Sequence, residues 1–275
     1  MKLLIFGGNG MAGHMLVDFF RAQSGMEVFY TTRDPRDKKG LILDAADGHI
    51  VEKTVELVRP DIIINAIGVL NQFAEQDIIR AYHINGFLPH RLRYAADHIG
   101  ARLIHISTDC VFEGTRGGYS ESDHPDGTST YALTKTFGEV NAPGHLTIRT
   151  SIIGPEIRPG GIGLLNWFMR QQGNVTGYRN VLWNGVTTLE LAKAVRVLML
   201  SPLSGIVHLA HPKPVSKNEL LILFKDTWGL HQIEVVASDT PVQNRTLLST
   251  RTDMDYTVPD YPQMMKELSE WMNRG

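Results

Sequence analysis

Tyr131 and Lys135 bracket Tyr131-Ala132-Leu133-Thr134-Lys135, a spacing that sets a phenol and an ammonium side by side on one face of a helix. A cation beside a phenol lowers its pKa, so the pair could pass a proton near neutral pH. Alone, such a pair is more often a solvated helix face, and the chemistry needs a third group. Ile104-His105-Ile106-Ser107-Thr108-Asp109-Cys110 supplies one, since an apolar strand runs straight into a polar cluster. Ligands of open α/β sheets sit outside the carboxyl ends of the strands, where Thr108 or Ser107 could share a substrate oxygen with Tyr131.

A second chemistry stands at the amino end. Gly7-Gly8-Asn9-Gly10-Met11-Ala12-Gly13 follows one apolar run and opens an amphipathic one. Gly7 permits a tight turn, Gly10 lets backbone amides approach a pyrophosphate, and Gly13 lets the helix pack on the strand. The next strand ends in Thr31-Thr32-Arg33, two hydroxyls and a guanidinium suited to a ribose phosphate, which favours NADP over NAD. Asp34 offers the opposite choice, because a shift of one residue at that strand end brings a carboxylate to the ribose.

These groups must be carried by regular elements, and the first two-thirds of the chain alternates apolar runs with amphipathic stretches. Strands are expected at 3–6, 28–31, 62–66, 103–107 and 146–148, and helices at about 11–23, 50–59, 78–99 and 129–140. Ile62-Ile63-Ile64 is apolar throughout, as a parallel strand covered on both faces should be. The expectation is a doubly wound parallel α/β sheet, a Rossmann fold, over residues 1–153. Gly154, Pro155, Pro159, Gly160, Gly161 and Gly163 then mark a boundary. Residues 154–275 should form a smaller mixed lobe, mainly for substrate, with about 184–210 returning to the sheet. Helices are expected there at 189–200, 217–228 and 263–272, and a strand at 206–209.

The composition narrows the classes. The 275 residues are 43% hydrophobic, enough for a well-covered core. With 27 Lys plus Arg against 29 Asp plus Glu, the net charge is -2, and no long basic run offers a track for nucleic acid. The single cysteine excludes an intramolecular disulfide framework and a multi-thiolate metal site, and the histidines show no metal-ligand spacing. No metal is expected. No stretch could span a bilayer, and the opening apolar run stops at Gly7, so the chain reads as soluble, unprocessed and cytoplasmic.

The glycine turn, the hydroxyl after a strand and the Tyr-x-x-x-Lys pair stand in the order and spacing of the extended short-chain dehydrogenase/reductases, which residues 1–155 resemble. Within that superfamily, Ser107-Thr108-Asp109-Cys110-Val111-Phe112-Glu113-Gly114 and Arg149-Thr150-Ser151 resemble the matching stretches of the dTDP-4-dehydrorhamnose reductases. The resemblance implies an NADPH-dependent reduction of a nucleotide-linked 4-keto-6-deoxy sugar in deoxysugar biosynthesis. Tyr131 would protonate the developing alkoxide, Lys135 would hold the nicotinamide ribose, and Thr108 would hydrogen-bond the carbonyl. Asp44, Ala45, Ala66, Ile67, Gly68, Ser107 and Thr150 fall on stretches that line the cofactor, and Asn85 on a family asparagine beneath it. For Asp44 and Asn85, capping or core hydrogen bonding is an equal reading. Substrate contacts would come from Asn71, Thr108, Cys110, Tyr131 and Ile152. A homodimer through the helices after Ile78 and Ser129 is also implied.

Departures fall on the substrate side. The 4,6-dehydratases carry glutamate where this chain has Cys110, so dehydration is disfavoured. The rhamnose-forming reductases have tyrosine there, and tryptophan at the place of Ile152. A cysteine at this position resembles the epimerase-reductases, where it works with a histidine, yet no histidine lies between His145 and His208. Cys110 therefore reads as a packing residue, with an epimerase-reductase as one alternative and a non-catalytic NADP- or sugar-nucleotide-binding subunit as another. Downstream, Trp183 is a core anchor or a substrate contact, and Asn184 beside it is a candidate contact. Arg245 and Arg251 are candidates for a substrate pyrophosphate.

Overall fold

The computed structural model describes residues 1–158 and 160–274; Pro159, in the glycine- and proline-rich stretch, lies outside the described residues. The first half runs β1 (Lys2–Phe6), α1 (Met11–Arg21), β2 (Glu27–Thr32), β3 (Leu41–Ile42), α2 (Gly48–Val58), β4 (Ile62–Asn65), α3 (Asn71–Gln76) and α4 (Ile78–Ala81). A π-helical turn (Tyr82–Phe87), α5 (Leu88–Ile99), β5 (Arg102–Ile106), a 3-10 turn (Asp109–Val111), α6 (Thr130–Phe137) and β6 (Leu146–Arg149) follow. Beyond these come β7 (Ile152–Ile153), α7 (Leu164–Met169), β8 (Gly173–Tyr178), β9 (Val181–Trp183), β10 (Val186–Thr187) and α8 (Thr188–Leu198). The chain ends with β11 (Gly205–His208), β12 (Val215–Ser216), α9 (Lys217–Trp228), β13 (Ile233–Ser238), β14 (Gln243–Asn244) and α10 (Tyr261–Met272).

The expected doubly wound sheet is present: seven parallel strands in the order β11-β6-β5-β4-β1-β2-β3. Strand order reverses between β1 and β4, the switch point beyond whose carboxyl ends an open α/β sheet takes its ligand. Alternate residues of β1 enter different cores. Leu3 and Ile5 pack among residues of α1 and α8, while Leu4 and Phe6 pack among residues of α2 and α5. Burial on both faces is why this strand reads as a continuous apolar run. The chain rejoins the sheet at β11, whose Gly205–His208 pairs with β6.

The single helix expected over 78–99 is instead α4, the π-helical turn and α5. Pro89 has no N–H, so the Asn85 carbonyl cannot receive the usual bond from four residues on. Gly138 packs against that carbonyl, where a Cβ would come within 1.9 Å of the oxygen. The expected 129–140 helix shortens to Thr130–Phe137, with Ser129 capping its start by accepting the Ala132 N–H at 3.1 Å. The smaller lobe contains pairings the sequence did not announce: β8 with β13 in parallel, and β9 between β12 and β14.

At the carboxyl ends of β5 and β6 lies a buried ion pair. Arg149 donates to both Glu139 oxygens at 2.8 and 2.7 Å, and the two side chains are only 2% and 5% exposed. Removing one partner would strand a buried charge, so Arg149→Met is expected to lower the unfolding free energy by about 3–5 kcal/mol, measured by urea titration. A loss below 1 kcal/mol would show that the pair is not a structural joint.

Candidate active site

One cleft of about 430 Å³ lies at the switch point and gathers most of the residues singled out above. The glycine turn contributes Gly7, Asn9, Gly10, Met11 and Ala12, and the end of β2 contributes Thr32 and Arg33. Asp44 and Ala45 line one wall, Ala66, Ile67, Gly68 and Asn71 another, and Ser107, Thr108, Cys110, Tyr131, Lys135, Thr150 and Ile152 the inner end.

Gly7 has φ +88°, a conformation glycine takes without strain. Its N–H donates to Thr31 Oγ1 at 3.1 Å, which ties the turn to β2. Gly13 does not line the cleft; a Cβ there would lie 2.0 Å from the Gly7 carbonyl oxygen, so its part is close helix-to-turn packing. Gly10 caps α1 with no side-chain hydrogen bond, leaving first-turn N–H groups for an anion. Asn9 is held by donating to Thr32 Oγ1 and Asp37 Oδ2, each at 3.0 Å.

Arg33, not Asp34, lines the cleft. Asp34 is occupied by Arg36, whose Nε and Nη2 donate to it at 2.9 and 2.8 Å. Arg158, which the sequence did not flag, lines the same end; burial and the charge of Arg33 push its pKa down. Two guanidinium groups drawn together fit a phosphate. Asp44 takes a bidentate contact from Arg80 at 3.2 and 2.9 Å and accepts the Ala46 N–H at 3.1 Å. Its carboxylate thus holds the rim as well as lining it.

At the inner end Tyr131 and Lys135 are 8% and 3% exposed. The expected lowering of the phenol is not found in this state. Burial first, then the acidic neighbours Cys110 and Asp109, raise Tyr131 above the ordinary range, and only the Thr108 hydroxyl opposes this. Lys135 is not among the groups that shift the phenol; its Nζ is turned to the Ile106 carbonyl, to which it donates at 2.8 Å. Burial lowers Lys135 to about 8, against the pull of Glu139. Thr108 Oγ1 accepts the Cys110 N–H at 3.1 Å and donates to Asp109 Oδ1 at 3.2 Å. Burial, then the Asp109 charge, pushes the Cys110 thiol up to about 12, which makes it a poor base.

Several candidates stand elsewhere. Asn85 supports the site from behind: its Oδ1 accepts the Val69 N–H at 2.8 Å, and its Nδ2 donates to Val69 O at 2.9 Å and Thr134 Oγ1 at 3.1 Å. Asn184 is a bracket rather than a contact, donating to His211 O and Leu247 O at 2.9 and 2.7 Å. Trp183 is a core anchor, 3% exposed, with Nε1 donating to Ser151 Oγ at 2.9 Å. Arg251 is bound to Asp253 at 2.7 and 2.6 Å and to the carbonyls of Ser204 and Ile206, far from a pyrophosphate role. Arg245 flanks the Thr108–Phe112 segment without lining the cleft, its Nε donating to Phe112 O at 2.9 Å. Lys217 was missed. The Ser216–Glu219 capping box starts α9 there, and Lys217 Nζ stands 5.3 Å above the Trp183 ring. Burial lowers it to about 8, with Asp109 and Cys110 opposing.

Residues 1–240 match the family model described as the RmlD substrate binding domain. The chain belongs to this family. It is 26% identical over 254 residues to the spore coat polysaccharide biosynthesis protein SpsK of Bacillus subtilis, covering 89% of this chain and 86% of that one. It is 38% identical over 140 residues to a dTDP-4-dehydrorhamnose reductase of Streptomyces griseus, covering 50% of this chain and 43% of that protein. The match thus spans about half the length of such reductases. A dTDP-4-dehydrorhamnose reductase structure from Clostridium acetobutylicum shares the fold at TM-score 0.82 and 22% identity, covering 99% and 100% of the two chains. One from Bacillus anthracis, in complex with NADP, does so at 0.84 and 19%, covering 100% and 99%.

The arginines make a sharp expectation at the outer end of the cleft. Arg33→Ala should weaken NADPH about ten- to a hundredfold in fluorescence titration and leave NADH nearly unchanged. Equal weakening of both would remove Arg33 from the ribose phosphate.

Proposed function

We propose that this chain is an NADPH-dependent reductase of a nucleotide-linked 4-keto-6-deoxy sugar, acting in the cytoplasm in deoxysugar biosynthesis for a surface polysaccharide. The observation that carries this reading is the convergence of Thr108, Tyr131 and Lys135 at the inner end of the cleft whose outer end holds the glycine turn, Arg33 and Arg158. In this reading residues 1–153 hold the dinucleotide, and 154–275, apart from the segment that rejoins the sheet, bear on the sugar nucleotide.

Bound NADPH would supply the hydride for the carbonyl carbon. The chain supplies the rest. A general acid must hold its proton until the oxygen becomes basic; the Tyr131 phenol is protonated at neutral pH at its ordinary pKa and remains so with burial raising it. Thr108 turns its hydroxyl from Asp109 to the carbonyl oxygen, fixing the ketone against Tyr131. Lys135, one helical turn on, anchors the nicotinamide ribose. Cys110 packs beside the ring and stays a thiol. Domain-scale association follows from another face. Phe87, Leu133 and Phe137 are 46%, 49% and 48% exposed on the helices flanking the site, with Phe87 and Phe137 edge to face at 5.2 Å. This apolar face is where a second copy docks in the proposed homodimer.

With a panel of nucleotide 4-keto sugars, Tyr131→Phe should retain NADPH binding and lose about two to four decades of turnover. In deuterated water the product should carry no carbon-bound solvent deuterium next to C4; label at that carbon, abolished by Cys110→Ala, would establish epimerisation instead. Wild-type protein that binds NADPH yet reduces no such sugar would make it a binding subunit. Sedimentation velocity should find a dimer that Phe137→Asp converts to monomer, and a monomeric wild type would reject the dimer.

A further inference from the structure

Behind Lys135 runs a buried polar chain. Asn65 ends β4 and lies in register with His105 on β5, and both are inaccessible to solvent. Asn65 Oδ1 accepts the Ile67 N–H at 3.2 Å, which fixes the orientation of its amide. The group that meets His105 Nδ1, at 3.1 Å, is therefore the Asn65 NH2. An amide NH2 only donates, so Nδ1 must present its lone pair. A neutral imidazole then carries its one proton on Nε2, and Nε2 lies 3.3 Å from Lys135 Nζ. An ammonium has no lone pair to receive that N–H. A neutral amine receives it and still donates to the Ile106 carbonyl at 2.8 Å.

We propose that His105, oriented by Asn65, is a positioning residue for Lys135: its Nε2–H donates to the lysine amine and disfavours the ammonium. The inference rests on the reading of Tyr131 and Lys135 as the working pair. In each turnover Tyr131 gives one proton to the carbonyl oxygen and regains one from solvent, while His105 keeps its own.

The surrounding charges agree with this arrangement. Burial, then the positive charge that Lys135 carries when protonated and more weakly His90 on α5, hold His105 well below its ordinary range, so the ring is neutral and the two groups oppose one another's protonation. Burial lowers Lys135 to about 8, and Glu139, just beyond α6, is the carboxylate that opposes it. Tyr131, on the same helix face, stays protonated.

Protein labelled with 15N-histidine should show His105 as the Nε2–H tautomer at pH 9; the Nδ1–H tautomer would overturn the proposal without any variant. In protein labelled with 13C-lysine, assigned by loss of the signal in Lys135→Arg, His105→Phe should raise the Lys135 pKa by about one unit. A pKa that stays or falls would show that His105 accepts from an ammonium or plays a packing part only. The basic limb of the kcat/KM profile for a nucleotide 4-keto sugar should move the same way. If the wild type reduces no such sugar, the proposed activity fails, and the two NMR readings still decide the role of His105.

Discussion

The buried pair of Arg149 and Glu139 holds the inner end of the molecule together. Taking two charges out of water is costly, and their attraction offsets the cost only when the remaining donors and acceptors are satisfied. Here they are. Glu139 Oε1 also accepts the Ser107 hydroxyl at 2.8 Å, Arg149 Nη1 lies 3.3 Å from His208 Nε2, and the guanidinium stands 5.1 Å above the Phe112 ring. One ion pair thus links the ends of β5, β6 and β11 to the segment that closes α6. Thr108 and Thr150 leave those strand ends, and Tyr131 and Lys135 ride on α6, so the groups that line the inner end of the cleft share a common anchor.

With its frame held, the cleft divides by wetness. The outer end is cationic and open, with Arg33 and Arg158 presented to solvent-borne anions and Asp34 withdrawn by Arg36. The inner end is buried, and burial there disfavours every charge: Tyr131 and Cys110 are driven up, Lys135 and Lys217 down. Low dielectric keeps the acid protonated and the thiol unreactive in the same small volume. At neutral pH both groups therefore keep their protons, which leaves Tyr131 a proton to give and denies Cys110 the thiolate a base would need.

Support from behind is as consistent as the lining. Asn85 clamps both backbone polar groups of Val69, Asn65 fixes the imidazole of His105, and Asn184 brackets Leu247. Each amide is buried with donors and acceptors matched, which rigidifies loops that regular structure does not reach. None of these side chains needs to touch a ligand to shape the cleft.

Local backbone rules made part of this protein legible from its residues. Gly7 and Gly13 answer to turn geometry and close packing within a dozen residues, Tyr131 and Lys135 to the pitch of one helix, and Ile62-Ile63-Ile64 to burial of a strand on both faces; each constraint is short in sequence and so leaves a pattern. Tertiary structure alone decided what depends on distant partners. The phenol shift of Tyr131 comes from burial against other elements, the choice of Arg33 over Asp34 from the competing contact of Arg36, and Arg158 and Lys217 reach the site's surroundings through folds of the later chain. Asn184 and Arg251 look from sequence like free polar groups; they are spent on backbone carbonyls and a carboxylate that only folding brings near. A polar side chain announces that it can bond, while its partner, and hence its role, is set by the packing of the whole chain.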